Sequence, residues 1–291
     1  MTEVARGPVQ VMGEVLSNKR AGGYQHLTLV APGVAERFRP GNLVALAVGG
    51  PLSDRLLRRS FPIYRARATG AYRATVELVF AVTEPGQEWL AGLPNGASVD
   101  VVGPLGRPYA LPKEPVACTL VGNGHAAAPL FSLADRLRER GCAVHMVLAA
   151  PSERELFGAL DAKRAAKTVV VTTEDGSIGL PGGVGVVLPD LLARTGSDVV
   201  YAAGPAPMLH AVAAAAESHG AWSQTTLDTD LVCASGACLT CVVPTVGEDG
   251  VSRTVRSCLE GPVFRGDRVR WADIATVPAD TWGTDHSGGA E

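Results

Sequence analysis

Four of the six cysteines fall close together near the C-terminal end, and their spacing constrains this chain more than anything else in it. The run is Cys233-Ala-Ser-Gly-Ala-Cys238-Leu-Thr-Cys241, and a longer gap leads to Cys258. Residues 222–272 show little helical periodicity, and about 50 residues make a thin core. A small domain organised around a metal is the natural expectation. The C-x4-C-x2-C spacing with a distant fourth cysteine is the plant-type [2Fe–2S] pattern, in which four thiolates serve two irons. Ala234, Ser235, Gly236 and Ala237 are small enough to let backbone N–H groups approach the sulfurs. Structural zinc also takes four thiolates but usually shows paired short spacings; it stays open at this point, as does a set of buried thiols. Cys118 and Cys142, on an apolar strand and beside a helix-ending glycine, read as small buried hydrophobes.

The rest of the 291 residues must hold more than one domain. Up to about residue 111 the chain is β in texture. Val9–Val15, His26–Val30, Leu43–Val48 and Thr75–Val82 are apolar or alternating runs parted by glycine-bearing turns, as in a small antiparallel barrel. From Pro112 strands and helices alternate. The strands are Ala117–Val121, Val144–Ala149, Thr168–Thr172 and Asp198–Ala202. The helices are Pro129–Arg140, Glu153–Leu160, Val186–Ala193 and Ala206–His219. In the first helix Leu130, Leu133, Ala134 and Leu137 share one face. Such alternation predicts a parallel sheet covered by helices on both sides. The expected division is 1–111, 112–221, 222–275 and a loose tail over 276–291, giving a multidomain α+β protein.

Composition removes several classes. The charge is balanced at −3, from 26 Lys+Arg against 29 Asp+Glu, and no basic block stands out, which disfavours nucleic acid and anionic membrane as partners. Aromatics at 5% are too few for a base-stacking surface. The start, MTEVARGPVQVMGEV, lacks a charged-then-apolar leader pattern, and no window is apolar enough to span a bilayer. A cytoplasmic protein with its cysteines reduced is the expectation.

Three glycine-bearing loops follow predicted strands. Leu120-Val-Gly122-Asn123-Gly124-His-Ala-Ala-Ala-Pro129 joins a strand to a helix, where backbone and helix N-terminus suit a pyrophosphate. Ala127 occupies the last place of G-x-G-x-x-G, so alone this loop says little. Thr173-Glu-Asp175-Gly-Ser-Ile-Gly179 and Ala203-Gly204-Pro205-Ala-Pro-Met208 end two further strands, and ligands of open α/β sheets sit at those ends. Together they predict a dinucleotide site. Ser152 and Arg154, after the second strand, are candidates for a 2′-phosphate. Arg58-Arg-Ser-Phe-Pro-Ile-Tyr64 combines base and aromatic, which suits a phosphate and a planar ring; on physics alone an amphipathic edge strand with solvated arginines explains it better.

In this order, barrel, nucleotide domain and plant-type cysteine cluster resemble the electron-transfer subunits of class 1B dihydroorotate dehydrogenase, within the ferredoxin–NADP reductase superfamily. The resemblance covers about residues 10 to 272. It implies an FAD site in the barrel on Arg59, Ser60, Phe61 and Pro62, on Val79, Phe80 and Ala81, and on Gly86 and Gln87. Val101-Val-Gly-Pro-Leu-Gly106 is similar to the family's barrel-closing segment. Gly122, Asn123, Gly124 and Pro129, then Asp175, then Gly204, Pro205 and Met208, align with its NAD loops. Cys233, Cys238, Cys241 and Cys258 align with its [2Fe–2S] ligands. Pro62 stands where the family has a hydroxyl residue, Ala81 where arginine is common, Gln87 for Thr, Asn123 for a glycine and Ala203 for a cysteine.

The resemblance implies an oxidoreductase subunit that relays electrons between a partner and NAD(H) through [2Fe–2S] and FAD. The partner is the FMN-containing catalytic subunit that oxidises dihydroorotate in pyrimidine biosynthesis, in a heterotetramer. No residue of this chain is expected to catalyse chemistry on orotate. The lost hydroxyl at Pro62 implies slow direct NADH oxidation by the isolated chain. A reductase subunit of another NAD(P)H- or ferredoxin-linked oxidoreductase, or a zinc-bearing interaction module without redox activity, are the alternatives.

Overall fold

The computed structural model describes residues 7–50, 53, 55–68, 74–227, 231–276, 278, 280 and 281. Of the expected tail, residues 277, 279 and 282–291 lie outside the described residues.

The N-terminal part folds as β1 (Val9–Ala21), β2 (Tyr24–Val30), a short helix α1 (Val34–Arg37), β3 (Leu43–Leu46), β4 (Arg59–Arg67), β5 (Thr75–Phe80), a helix α2 (Pro85–Ala91) and β6 (Ser98–Leu105). The strands close into an antiparallel barrel in the order β1-β2-β5-β4-β3-β6. Alternation drives the closure: Leu27, Leu29, Val76, Leu78, Val99 and Val101 all point into one dry interior and are essentially inaccessible. The Arg58–Tyr64 segment is therefore not an edge strand. As β4 it is paired on both sides, with β3 and β5, and its arginines are held by carboxylates, Arg58 by Asp100 at 2.7 Å and Arg59 by Glu84 at 2.9 Å.

The second part follows the predicted alternation: β7 (Ala117–Asn123), α3 (Ala128–Glu139), β8 (Ala143–Ala150), α4 (Ala159–Ala165), β9 (Thr168–Thr173), β10 (Leu180–Pro181), α5 (Leu188–Thr195), β11 (Val199–Gly204), α6 (Ala206–Ser218) and β12 (Trp222–Leu227). Leu130, Leu133, Ala134 and Leu137 of α3 are fully buried, as their spacing requires. The predicted Glu153–Leu160 helix is instead a single 3-10 turn at Glu153–Glu155, and α4 begins only at Ala159. Gly158 explains the break. It takes a left-handed conformation (φ 74°) and lies so close to the Phe131 ring that a Cβ would collide with it.

After β12 the chain leaves the sheet for the cysteine-bearing segment. This contains the hairpin β13 (Val242–Val246) and β14 (Ser252–Arg256) and the short helix α7 (Ser257–Glu260). It rejoins as β15 (Val263–Arg265), antiparallel to β12. The sheet order is β10-β9-β8-β7-β11-β12-β15. Helices α3 and α4 pack on one face, α5 and α6 on the other. The order reverses between β7 and β11, and the ligand crevice of an open α/β sheet lies at such a reversal.

Barrel and sheet share a core. Tyr64 and Val79, on the outside of the barrel, pack with Leu120, Phe131 and Tyr201 of the sheet layer. The Tyr64 ring meets Phe131 and Phe157 edge-on at 5.7 and 5.6 Å, and its hydroxyl donates to Asp161 Oδ2 at 3.1 Å. Burial raises the Tyr64 pKa, so this hydroxyl keeps its proton for the bond.

Candidate functional site

Where β3, β4 and β5 of the barrel face the start of α3 and the ends of β11 and β12, a cleft opens. From the barrel it takes Ser60, Phe61, Pro62, Val79, Phe80 and Gln87, together with Leu43. From the other side come Pro129, His125, Ala126, Ala203 and Thr226. The pleat explains the barrel's share: β3 and β4 pair Leu43 with Pro62 and Ala45 with Ser60, and the Phe61 and Phe80 rings lie 4.9 Å apart. The Ser60 hydroxyl is buried here with no partner among the described residues. An unpaired buried hydroxyl costs roughly 1–3 kcal/mol, which a polar atom of a ligand in the cleft can recover. A mostly apolar slot with one such hydroxyl fits a flavin ring.

The remaining barrel residues singled out by sequence stand around this cleft. Arg59 is tied to Glu84 and to the backbone carbonyls of Leu57 and Arg58. Gly86 lies against Arg59, where a Cβ would come within 3.2 Å of its side chain. Gln87 works locally as well: its Oε1 accepts from the Thr83 and Glu84 backbone, closing a capping box at the start of α2. Ala81 packs against the core shared with the sheet.

At the sheet's crevice, Gly122 and Gly204 allow close packing. A Cβ on Gly122 would strike Ala127, and one on Gly204 would come within 2.6 Å of Met208. Gly124 takes φ 50° below the Tyr24 hydroxyl. A second pocket, of about 380 Å³, opens beside them and takes Asn123, Pro205 and Met208 together with Ala150, Gly183 and Glu174. Asp175 does not line it. Its carboxylate accepts from the Ser177 N–H and hydroxyl at 2.9 and 2.6 Å, and these bonds hold its pKa below the ordinary value. Ser152 donates to Glu155 at 3.2 Å, and the Glu153 N–H donates to Ser177.

The cysteine loop folds through left-handed residues, Ala234 at φ 51°, Gly236 at 80° and Leu239 at 59°, and Arg256 holds it by donating to the Gly236 carbonyl. Cys233, Cys241 and Cys258 are buried and Cys238 is partly exposed. Among the described residues no three ligating side chains gather around one ion position; Cys241 and Cys258 lie in one apolar cluster with Ala234, and four thiols within one short segment are the donor set that a [2Fe–2S] cluster takes. Burial works against the Cys233 thiolate, but hydrogen bonds from Ser235 and from the Cys238 backbone overcome it and bring Cys233 down to about 6. Burial and the neighbouring Cys241 push Cys258 up to about 12. Binding of a metal must therefore displace a proton from Cys258.

Comparison with known proteins narrows the reading. A family model for the iron–sulfur cluster binding domain of dihydroorotate dehydrogenase B matches residues 228–270. The dihydroorotate dehydrogenase B (NAD(+)) electron transfer subunit of Fusobacterium nucleatum is 33% identical over 81% of this chain and 88% of its own length. This chain belongs to that family. The same-named subunit of Desulforamulus reducens is 30% identical over 83% of this chain and 90% of that one. Among solved structures, that of an NADH-dependent reduced ferredoxin–NADP oxidoreductase superposes with a TM-score of 0.77 at 26% identity, covering 91% of this chain and 92% of that one. The flavohem-like FAD/NAD binding domain of the Vibrio cholerae nitric oxide dioxygenase shares the fold, with a TM-score of 0.60 at 19% identity over 72% of this chain and 93% of that one. Within the family the four-cysteine segment is an iron–sulfur cluster site, and the zinc alternative gives way.

Sequence reasoning missed several residues at the cleft. Leu43, Thr226 and Leu231 carry no motif, and His125 lies within the first glycine loop without being singled out there. They are brought there by sheet pairing and by the return of the chain after β12, which only the fold reveals. Among the described residues, no helix is long and apolar enough to cross a membrane.

Proposed function

We infer that this chain relays electrons between a catalytic partner subunit and NAD(H), through a [2Fe–2S] site at Cys233, Cys238, Cys241 and Cys258 and an FAD site in the cleft between barrel and sheet. The observation that carries the reading is a shared wall. Leu43 lines the cleft and also packs in one apolar cluster with Cys241 and Cys258. Leu231 does the same. The two proposed redox sites thus share a wall of packed side chains. A flavin exchanges two-electron hydrides with a nicotinamide and single electrons with a cluster, which is why such a relay needs both.

The chain's own residues supply binding and exclusion of solvent. Phe61, Phe80 and Pro62 wall the slot, and the unpaired Ser60 hydroxyl offers it a hydrogen bond. Arg59, kept near the slot by Glu84, supplies positive charge for a pyrophosphate. Gly122, Gly124 and Gly204 let the loops of the crevice pack closely where a nicotinamide dinucleotide would lie, and Glu174 lines the pocket beside them. Leu43, Ala45 and Ala234 keep Cys241 and Cys258 dry.

The partner we propose is an FMN-containing dihydroorotate dehydrogenase catalytic subunit in a heterotetramer, with NAD as the terminal carrier. The units are 1–111 for FAD, 112–221 for NAD and 222–275 for the cluster, the last lending its strands β12 and β15 to the sheet of the second. Six free cysteines support a reducing, cytoplasmic setting. The likeness to the ferredoxin–NADP oxidoreductase structure supports a second reading, in which the same cofactors serve a ferredoxin-linked partner. Anaerobic purification with iron, sulfide and flavin analysis tests the cofactors, and co-purification tests the partner. About two irons, two sulfides and one FAD per chain are expected. About one zinc without sulfide overturns the relay, and a ferredoxin-dependent enzyme as the co-purifying subunit selects the second reading.

A further inference from the structure

Of the four cluster thiols, the one that reaches solvent carries a hydroxyl neighbour. Thr240 Oγ1 lies 3.2 Å from Cys238 Sγ. Between them Leu239 adopts its left-handed conformation, which folds the chain back tightly over two residues. A cysteine that ligates iron is a thiolate and has no proton to give, so in the loaded protein the hydroxyl is the donor.

We propose that the Thr240 hydroxyl donates a hydrogen bond to the Cys238 thiolate and raises the reduction potential of the [2Fe–2S] cluster. The inference rests on the cluster assignment above and deepens it. Reduction adds a negative charge that spreads onto the sulfurs, and a donor at a sulfur stabilises the more negative state more strongly. The four thiols differ in this respect. Cys233 takes a backbone N–H from Ser235 at 3.4 Å, which no side-chain substitution removes, and has the Ser235 hydroxyl beside it as a second donor. Cys241 and Cys258 pack against Leu43, Ala45 and Ala234. Thr240 is therefore a side chain through which the potential can be adjusted without changing a ligand. Its position at the exposed thiol also sets a protein donor where water would otherwise compete. Thr240 is a positioning residue and touches no substrate.

The test uses the full chain, purified anaerobically, as wild type, Thr240→Val and Thr240→Ser. Valine keeps the shape and loses the donor; serine keeps the donor. Iron and sulfide are measured first, and the reduction potential is then followed by the electron paramagnetic resonance signal of the reduced cluster. Thr240→Val is expected to move to more negative potential by about tenfold in the one-electron equilibrium, which is 59 mV, and Thr240→Ser to titrate with the wild type. A valine variant at the wild-type potential, or a serine variant shifted as far as valine, overturns the proposal. A purely structural role would change cluster content and leave the potential of the loaded fraction alone. If valine prevents loading, Thr240→Ala against Thr240→Ser is judged by the same criterion. A wild type that contains zinc and no sulfide sinks the cluster assignment itself, before Thr240 is questioned.

Discussion

The Thr226 hydroxyl donates to the Tyr109 hydroxyl in a buried contact between β12 and the segment that joins barrel to sheet. Tyr109 also meets Tyr201 edge-on at 5.6 Å. Tyr109→Phe keeps the ring and strands the Thr226 donor, so it is expected to lower stability by about 1–3 kcal/mol. Denaturant unfolding measures this, and a variant as stable as the wild type means that another acceptor takes over.

Replacement of a cluster ligand separates the two proposed redox sites. Cys238→Ser should abolish the visible iron–sulfur spectrum and destabilise the segment between β12 and β15. Flavin content should largely survive, because the cleft is walled mainly by barrel and sheet residues. Parallel loss of flavin from the purified variant contradicts that independence.

Ser60 and Pro62 line one cleft and give opposite expectations. Ser60→Ala removes a buried, unpartnered hydroxyl. It should stabilise the flavin-free protein slightly and weaken FAD binding by about 1 kcal/mol. Pro62→Ser adds a hydroxyl where the chain has none and should speed flavin reduction by saturating NADH in stopped flow. An unchanged rate means that residue 62 does not serve the hydride step.

Glu174 is the charged group in the pocket beside Asn123, Pro205 and Met208. A carboxylate there repels the 2′-phosphate of NADPH. Ser152, the alternative phosphate ligand, is engaged with Glu155. Glu174→Gln should raise kcat/KM for NADPH relative to NADH by roughly fivefold to tenfold, as expected for about 1 kcal/mol of charge repulsion. Equal ratios in the two proteins place the adenosine elsewhere.

Acid should unfasten the barrel at Glu77. A hydrogen bond with His26 holds this carboxyl below its ordinary value of 4.5, against the opposing effect of burial and with help from the charges of His26, Arg67 and Arg65. A carboxyl whose folded pKa is depressed stabilises the fold fully above its unfolded value. That contribution disappears as pH falls through the folded value. Between about pH 5 and pH 3 the wild type should therefore lose more stability than Glu77→Gln. Equal losses mean that Glu77 is not coupled to folding.

The architecture was readable wherever local pattern and tertiary role agreed. The buried stripe of α3 and the alternation of β2 and β5 are such places. β12 was not readable, since Trp222-Ser-Gln-Thr-Thr-Leu227 has the polarity of a surface segment. It is interior because Gln224 exchanges two hydrogen bonds with the Ala110 backbone and Thr226 bonds Tyr109. Those partners lie more than a hundred residues away, and no window of sequence contains both. The cysteines announced themselves through spacing, and Ser60 through its motif. Leu43 looked like any strand residue, and its place between cleft and cluster follows from β3 pairing with both β4 and β6.

The cysteine segment is hung between two paired strands, β12 and β15, which fixes its ends. Its closure entropy is met by the sheet, and grows only slowly with the length of what is inserted. The consequence is latitude in evolution: residues can be added or removed between the two anchors at small cost to the sheet, because the paired strands and not the cysteines hold the ends together.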